Sequence, residues 1–203
     1  LLGNLYSQLY KAKQAVFYYE SAYNLDKNEE NKLRYQLEIL NILFAVKRHQ
    51  FAEKYIALAK KLAPDNFDVR FFEAEYNNAL GHFDKSLPIL EVLIKEVPLE
   101  EGNEKYYFEL GVANFKLGKY KTATDIFDKI TDPGWAYRKK PFTAEYNFMV
   151  AQAFYEVFEF ADSETYLNIA LQLDPASSTA HELNQKIASI KQSKGKLIDA
   201  KKS

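Results

Sequence analysis

Histidines are the side chains of this sequence best suited to acid–base or metal chemistry at neutral pH. Three are present, His49, His82 and His181. None has a second histidine or a carboxylate at the spacing of a metal-binding helix motif such as H-E-x-x-H. The chain has no cysteine, and its seven glycines are dispersed. These counts exclude thiol chemistry, phosphate loops and nucleophile elbows. The sequence therefore predicts no enzyme, no catalytic residue, no metal and no cofactor.

The overall composition is that of a folded protein without an obvious charged ligand. The 203 residues are 47% hydrophobic and 27% charged, with a formal net charge of −1. No uncharged run reaches the ~18 apolar residues of a membrane helix, and a near-neutral chain has no general attraction to nucleic acid. We therefore expect neither nucleic-acid binding nor membrane insertion. The chain begins without Met, and we expect it to be a piece of a longer protein.

The elements that position any binding residue come from internal repetition. Steps of about 34 residues align five segments, residues 1–29, 33–66, 67–100, 104–137 and 144–177. Each holds two amphipathic helical runs joined by a short turn. The eighth position is small in four segments (Gly3, Ala74, Gly111, Ala151) and the twentieth in all five (Ala15, Ala52, Ser86, Ala123, Ser163). Small residues at facing positions allow two helices to pack closely.

This pattern resembles the tetratricopeptide repeat (TPR) family over nearly the whole chain. A Leu-Gly turn recurs at residues 80–83 and 117–120, and Pro64, Pro98 and Pro175 end three segments. The resemblance implies an all-α fold, a right-handed superhelical solenoid of antiparallel helix pairs. The predicted organisation is a single domain over residues 1–192, in which a capping helix at 178–192 closes the last repeat. A Lys-rich tail at 193–203 is predicted to be disordered.

Two departures from the repeat predict a change in stacking. Leu93 and Ile130 stand at the twenty-seventh position, where other segments have alanine. Extra residues follow both segments, at 101–103 and at about 138–143. Bulk at an inter-repeat contact and a longer connection are both expected to alter the stacking angle there.

The resemblance also implies a concave groove lined by the first helix of each repeat. The groove residues at its second, fifth, ninth, twelfth and thirteenth positions are aromatic, amide and acidic side chains. The candidates for partner binding are Asn41, Phe71, Glu75, Asn78, Phe108, Phe115, Phe148, Gln152 and Tyr155. Aromatic rings at this position also cover the neighbouring repeat, so the rings are expected to be partly structural and the polar members to be cleaner probes.

A second candidate surface is the long connection between the fourth and fifth segments. It contains Trp135, Tyr137, Arg138, Lys139 and Lys140, and aromatic residues with arginine are typical of interface hot spots. The alternative is that Trp135 covers the widened junction while the basic residues are simply solvated. Residues 141–185, which follow, carry seven acids and no Lys or Arg. Such segregated charge can steer a charged partner or neutralise a neighbouring surface.

The sequence thus predicts a protein–protein interaction scaffold that binds a peptide or helix of another protein in its groove. The alternative is a structural subunit that mediates oligomerisation or assembly, including a homo-oligomer. RNA binding by helical repeats is a third possibility, and the acidic residues along the groove oppose it.

Overall fold

The computed structural model describes Gly3 and residues 11–100, 103–131 and 143–200, with residues 131 and 194–200 described by their backbone alone. From residue 11 onward, the described residues form α-helices and one 3₁₀ turn at His49–Phe51, with no strand. The helices are α1 Ala12–Leu25, α2 Glu29–Ala45, α3 Glu53–Leu62, α4 Phe67–Ala79, α5 Phe83–Glu96, α6 Glu104–Lys116, α7 Tyr120–Thr131, α8 Ala144–Glu156, α9 Phe160–Leu173 and α10 Ser178–Ala200. The predicted all-α fold of paired helices is confirmed for these residues.

The chain divides into two compact units, an N-terminal unit Leu1–Pro98 and a C-terminal unit Leu99–Ser203. The sequence predicted one domain, with a break in the repeat after its third segment. The division falls at that break, where Pro98 ends a segment and residues 101–103 are additional. In the N-terminal unit, consecutive helices from α1 to α5 pack on one another, and α2 also contacts α4. In the C-terminal unit, α6 to α10 do the same, and α8 also contacts α10.

Side-chain caps begin the first helix of the second, third and fifth repeats, whereas the side chain of Asn103, at the start of α6, makes no such bond. Asn28 accepts a hydrogen bond from the backbone N–H of Asn31, Asn66 from that of Asp68 and Thr143 from that of Tyr146. An N-terminal cap of this kind satisfies helix N–H groups that have no partner within the helix. Short polar residues at the junctions therefore mark where these three repeats start.

The turn inside each of the second to fifth pairs uses one left-handed residue, at the fifteenth position of the repeat. Lys47, Gly81, Gly118 and Phe158 have φ values of 54°, 78°, 75° and 64°. In all four turns the following residue donates its N–H to a carbonyl five residues back, the pattern of a Schellman cap. Glycine adopts this conformation freely, whereas a side chain with a Cβ does so at a cost. The four turns are alike even though only two contain glycine.

The predicted packing positions lie in the interior of every repeat. The residues at the eighth position (Gly3, Leu40, Ala74, Gly111, Ala151) and the twentieth position (Ala15, Ala52, Ser86, Ala123, Ser163) are all buried. In the fifth repeat the two positions touch, because the Ser163 hydroxyl donates to the Ala151 carbonyl at 2.7 Å. The spacing of small residues therefore identifies the seam of each helix pair correctly.

Residue size at the eighth position is matched to the twenty-fourth in four of the five repeats. The second repeat is the exception, with Leu40 and Ile56 both buried at these positions. Glycine at the eighth position occurs with a buried aromatic ring, as in Gly3 with Tyr19 and Gly111 with Phe127, whose rings occupy the space of the missing side chain. Alanine occurs with leucine, as in the buried pairs Ala74 with Leu90 and Ala151 with Leu167. Each of these four matched pairs holds a similar total volume, as close packing requires.

The last helix covers the open face of the fifth repeat and is longer than predicted. Leu183 and Ile187 of α10 pack with Ala151 and Leu167 in one buried cluster. The prediction that the helix ends at 192 and is followed by a disordered tail is wrong for residues 193–200, since α10 continues to Ala200. This stretch is rich in Lys, Leu, Ile and Ala, which favour helix, and it contains no proline.

Candidate partner-binding surface

In the N-terminal unit, only part of the predicted groove set is accessible. Asn41 is exposed on α2, and Glu75 is half-buried on α4. Phe71 and Asn78, also on α4, are 4% and 8% exposed. Phe71 has its ring 5.9 Å from that of Phe72, centroid to centroid. The burial of Phe71 and Asn78 leaves Asn41 and Glu75 as the accessible candidates in this unit.

The position of Asn78 has a specific cause. The Ser86 hydroxyl, itself fully buried, donates a hydrogen bond to the Asn78 side-chain carbonyl. A buried amide needs such a partner, and this bond ties α4 to α5. Serine in place of alanine at the twentieth position is the sequence signal for this bond, and it indicates a structural role for Asn78.

In the C-terminal unit, the predicted residues form a matched set on α6 and α8. Phe108 and Phe148 stand at the fifth position of their repeats, and Phe115 and Tyr155 at the twelfth. All four rings are half-buried. Gln152, at the ninth position, is half-buried between Phe148 and Tyr155 along α8. These two helices therefore present rings at equivalent places, and α8 adds an amide where α6 has the buried Val112.

Each of these rings also makes an internal contact, as the sequence predicted for partly structural residues. Phe108 stacks on Tyr146, with centroids 4.0 Å apart and planes at 20°. Phe115 contacts Tyr120 at 5.6 Å, and Tyr155 contacts Phe160 at 5.8 Å. Phe148 packs against the buried cluster that α10 completes. The rings are fixed in place by these contacts and keep part of their surface available.

Charged groups frame the ring positions of the C-terminal unit. The Lys116 ammonium lies 5.6 Å from the centre of the Phe115 ring, within cation–π range. Lys105, Glu145 and Glu156 are exposed on the same two helices. A mixed rim of this kind suits a polar peptide rather than a polyanion such as RNA.

The second predicted surface, Trp135, Tyr137, Arg138, Lys139 and Lys140, lies outside the described residues.

Several exposed rings were not predicted from the sequence, namely Phe17, Phe51, Phe67 and Phe158, and Phe158 is the most exposed of them. Phe158, in the turn between α8 and α9, is 78% exposed. It occupies the position held by glycine in the third and fourth repeats, and its φ is 64°. The sequence carries a signal for this difference, because the Leu-Gly pair in the turns of the third and fourth repeats is replaced by Val157-Phe158.

The histidines have structural or exposed positions. His49 lies in the 3₁₀ turn with its ring 4.9 Å from that of Phe44, and burial lowers its pKa. His181 is exposed, and its Nε2 lies 2.9 Å from the Pro175 carbonyl oxygen. His82 is exposed in a turn. Among the described residues no group of three or more His, Cys, Asp or Glu is placed to hold a metal ion.

In the same ranges, no helix combines the length and apolarity needed to cross a bilayer.

Comparison with known proteins gives structural matches only. No protein-family model matches the sequence, and no curated protein matches it. Similar solved structures include the MamA RS-1 ArsTM double mutant, with a TM-score of 0.63 and 13% identity over 87% of this chain and 93% of that chain. A tetratricopeptide repeat protein from Parabacteroides merdae ATCC 43184 matches with a TM-score of 0.61 and 16% identity over 92% and 68%.

A third match is YrrB, described as a TPR protein with an unusual peptide-binding site. It has a TM-score of 0.59 and 18% identity, covering 90% of this chain and 88% of that chain. Identities this low establish the architecture alone. Three observations point to the same architecture: the small residues buried at the predicted seam, the paired helices and these structural matches. The chain therefore has the tetratricopeptide repeat fold.

Proposed function

We propose that this protein is a non-enzymatic interaction scaffold, and that the α6–α8 surface of its C-terminal unit binds a peptide or helical segment of a partner protein. The observation that carries the proposal is the matched set of half-exposed rings Phe108, Phe148, Phe115 and Tyr155. Aromatic side chains that are already held by packing lose little conformational freedom on binding, so their contact area contributes efficiently to affinity.

Gln152 would supply the directional contact of this surface. Its amide can donate to and accept from a peptide backbone, and its place between two ring positions suits a segment that lies along α8. The peptide-binding description of YrrB, a protein of the same fold, supports this class of ligand. Fold likeness alone does not establish function, so the residues of the surface must be tested directly.

The experiment is affinity capture from a source-cell lysate with the intact chain, followed by synthesis of the bound segment and titration. The rings also stabilise the fold, so Gln152→Ala is the main variant. Gln172→Ala is the matched control, since Gln172 is exposed on α9 of the same repeat. Loss of one hydrogen bond to the partner predicts roughly tenfold weaker binding for Gln152→Ala. Equal affinity of both variants would place the binding surface elsewhere.

Assembly with other copies or subunits is the second candidate function. On α1, Phe17 and Leu25 are 62% and 84% exposed, and exposed apolar side chains on a helix favour contact with another chain. Light scattering at two protein concentrations tests self-association. A mass that rises with concentration in the wild type and not in Phe17→Ser would assign α1 to an oligomer interface.

A further inference from the structure

Phe158 combines two properties that ordinary packing does not explain. Its backbone is left-handed, with φ of 64°, at a position where Gly81 and Gly118 supply the same conformation without strain. A bulky residue is an outlier in this region. The turn itself is intact, because the N–H groups of Phe158 and Glu159 both form 3.0 Å hydrogen bonds to carbonyls at the end of α8.

Burial does not compensate for this strain. The Phe158 side chain is 78% exposed, so its ring contributes little to the core. An aromatic ring in a strained conformation that the fold does not need points to a role outside the fold.

The ring of Phe158 belongs to an aromatic patch, the turn cluster, formed by Tyr155, Phe158 and Phe160. Phe158 meets Phe160 edge to face at 6.2 Å, and Phe160 contacts Tyr155 at 5.8 Å. Tyr155 and Phe160 are each half-buried. The two inner rings therefore anchor the cluster to α8 and α9, and Phe158 projects from it as a large exposed surface.

Acidic side chains surround the turn cluster. Glu156 ends α8, Glu159 follows Phe158, and Asp162 lies in the first turn of α9. Glu156 and Asp162 are exposed. Among the described residues, Lys121 is a nearby cation, and its ammonium lies 3.4 Å from Glu159 and 3.3 Å from Asp125. Residues 141–185 carry seven acids and no Lys or Arg, so the charged residues that flank the cluster along the chain are acidic.

We propose that the turn cluster is a second docking site, adjacent to the α6–α8 surface and sharing Tyr155 with it, for a cationic partner segment that carries an aliphatic or aromatic side chain. The exposed Phe158 ring would contact the apolar side chain, and Glu156 and Asp162 would attract the Lys or Arg residues beside it. Opposite charges at the rim raise the association rate and select the partner, while the buried ring contact supplies affinity.

The test uses Phe158→Gly, which removes the ring and also relieves the backbone strain. This variant is expected to melt at a higher temperature than the wild type, so a loss of binding cannot be ascribed to unfolding. Lys47→Gly is the matched control, because it relieves the same strain at the equivalent turn of the N-terminal unit. The probe is a short fluorescent peptide of alternating Lys and Leu, with an otherwise identical Glu–Leu peptide for comparison.

The expected result is at least about tenfold weaker binding of the Lys–Leu peptide to Phe158→Gly, with unchanged binding to Lys47→Gly. The double variant Glu156→Gln, Asp162→Asn should bind the Lys–Leu peptide more weakly and with a smaller dependence on salt. Glu182 is an exposed acid on α10, and Glu182→Gln should leave both properties unchanged. Equal binding by Phe158→Gly and wild type would overturn the proposal, as would equal binding of the Glu–Leu peptide. Self-association that is lost in Phe158→Gly would also overturn it, by assigning the cluster to a second copy.

Discussion

Phe127 fills the space in which a side chain of Gly111 would lie. A Cβ atom built on Gly111 would be 2.3 Å from Cε1 of the Phe127 ring, and Phe127 is fully buried. The ring has no room to move away, because a close-packed interior transmits such a shift to its neighbours. Gly111→Ala is therefore expected to destabilise the C-terminal unit by about 1–3 kcal/mol, measured by thermal or urea unfolding.

Two other repeats of the chain suggest a second substitution that should compensate for Gly111→Ala. The third and fifth repeats pair alanine with leucine at the same two positions. Adding Phe127→Leu to Gly111→Ala reproduces that pair and should recover a large part of the lost stability. Additive losses in the double variant would contradict the size matching.

At the left-handed turns, substitutions to and from glycine are expected to change the free energy of unfolding in opposite directions. Lys47→Gly should stabilise the N-terminal unit, because the strain of about 1–2 kcal/mol exceeds the extra freedom of glycine in the unfolded chain, about 0.4–1 kcal/mol. Gly118→Ala should destabilise the C-terminal unit by about 1 kcal/mol through backbone strain alone, since nothing lies within 4 Å of a Cβ built there. Unfolding by urea measures both changes, and a stabilised Gly118→Ala would refute the argument.

A three-residue contact in the N-terminal unit predicts a dependence on pH. The Lys54 ammonium and the Tyr55 hydroxyl each donate to the Glu20 carboxylate at 2.8 Å. These bonds, that of Lys54 foremost, hold the pKa of Glu20 below its ordinary value. A lowered folded-state pKa gives stability that is present above the unfolded pKa and is lost as the pH falls through the folded one.

Glu20→Gln should therefore lower the melting temperature at neutral pH and make a smaller difference at a pH of about 3, below the ordinary glutamate pKa of about 4.3, where the stability contributed by the carboxylate is being lost. The side chain of Glu20 is 38% exposed, and solvent screening limits the effect to at most about 1 kcal/mol. A difference between the two proteins that is the same at both pH values would exclude the pKa of Glu20 as its source.

The buried position of Ile187 predicts that shortening its side chain strongly destabilises the packing of the last helix, α10. Ile187 is fully buried in the cluster with Ala151 and Leu167, whereas Ile190 on the same helix is only half-buried. Ile187→Ala should cost about 2–5 kcal/mol of unfolding free energy through lost contacts and a cavity. Ile190→Ala is the matched control and should cost clearly less. Similar losses for the two variants would show that α10 is not packed through Ile187.

The sequence predicted the seam of the helix pairs because close packing permits few residue types there. Ala52 and Ala123, placed by spacing alone, are fully buried. The helix pairs and the role of α10 were predicted on the same grounds. The extent of α10 was not, because the strong helix formers after residue 192 lie on a stretch whose polar composition is equally typical of disorder.

The candidate surface was harder to predict, because position within a repeat does not give accessibility. Asn78 and Tyr155 both occupy the twelfth position of their repeats, yet Tyr155 is half-buried whereas Asn78 is buried and hydrogen-bonded to Ser86. The difference depends on a hydrogen bond across a helix pair, which the periodicity of one helix does not contain. Phe158 was missed for another reason, since backbone conformation at a turn becomes visible only when equivalent turns are superposed.

The closure of the fifth repeat by α10 has a consequence for biosynthesis. The ribosome produces α8 and α9 before α10, so the face around Ala151 and Leu167 is complete while its cover is still being translated. Until Leu183 and Ile187 emerge, a nascent chain presents this apolar face to the cytosolic or lumenal milieu in which it is made, and a chaperone or a sister nascent chain on the same polysome can reach it. Premature termination between α9 and α10 would leave that face uncovered permanently, so a truncated product is expected to aggregate rather than persist as a shorter working scaffold.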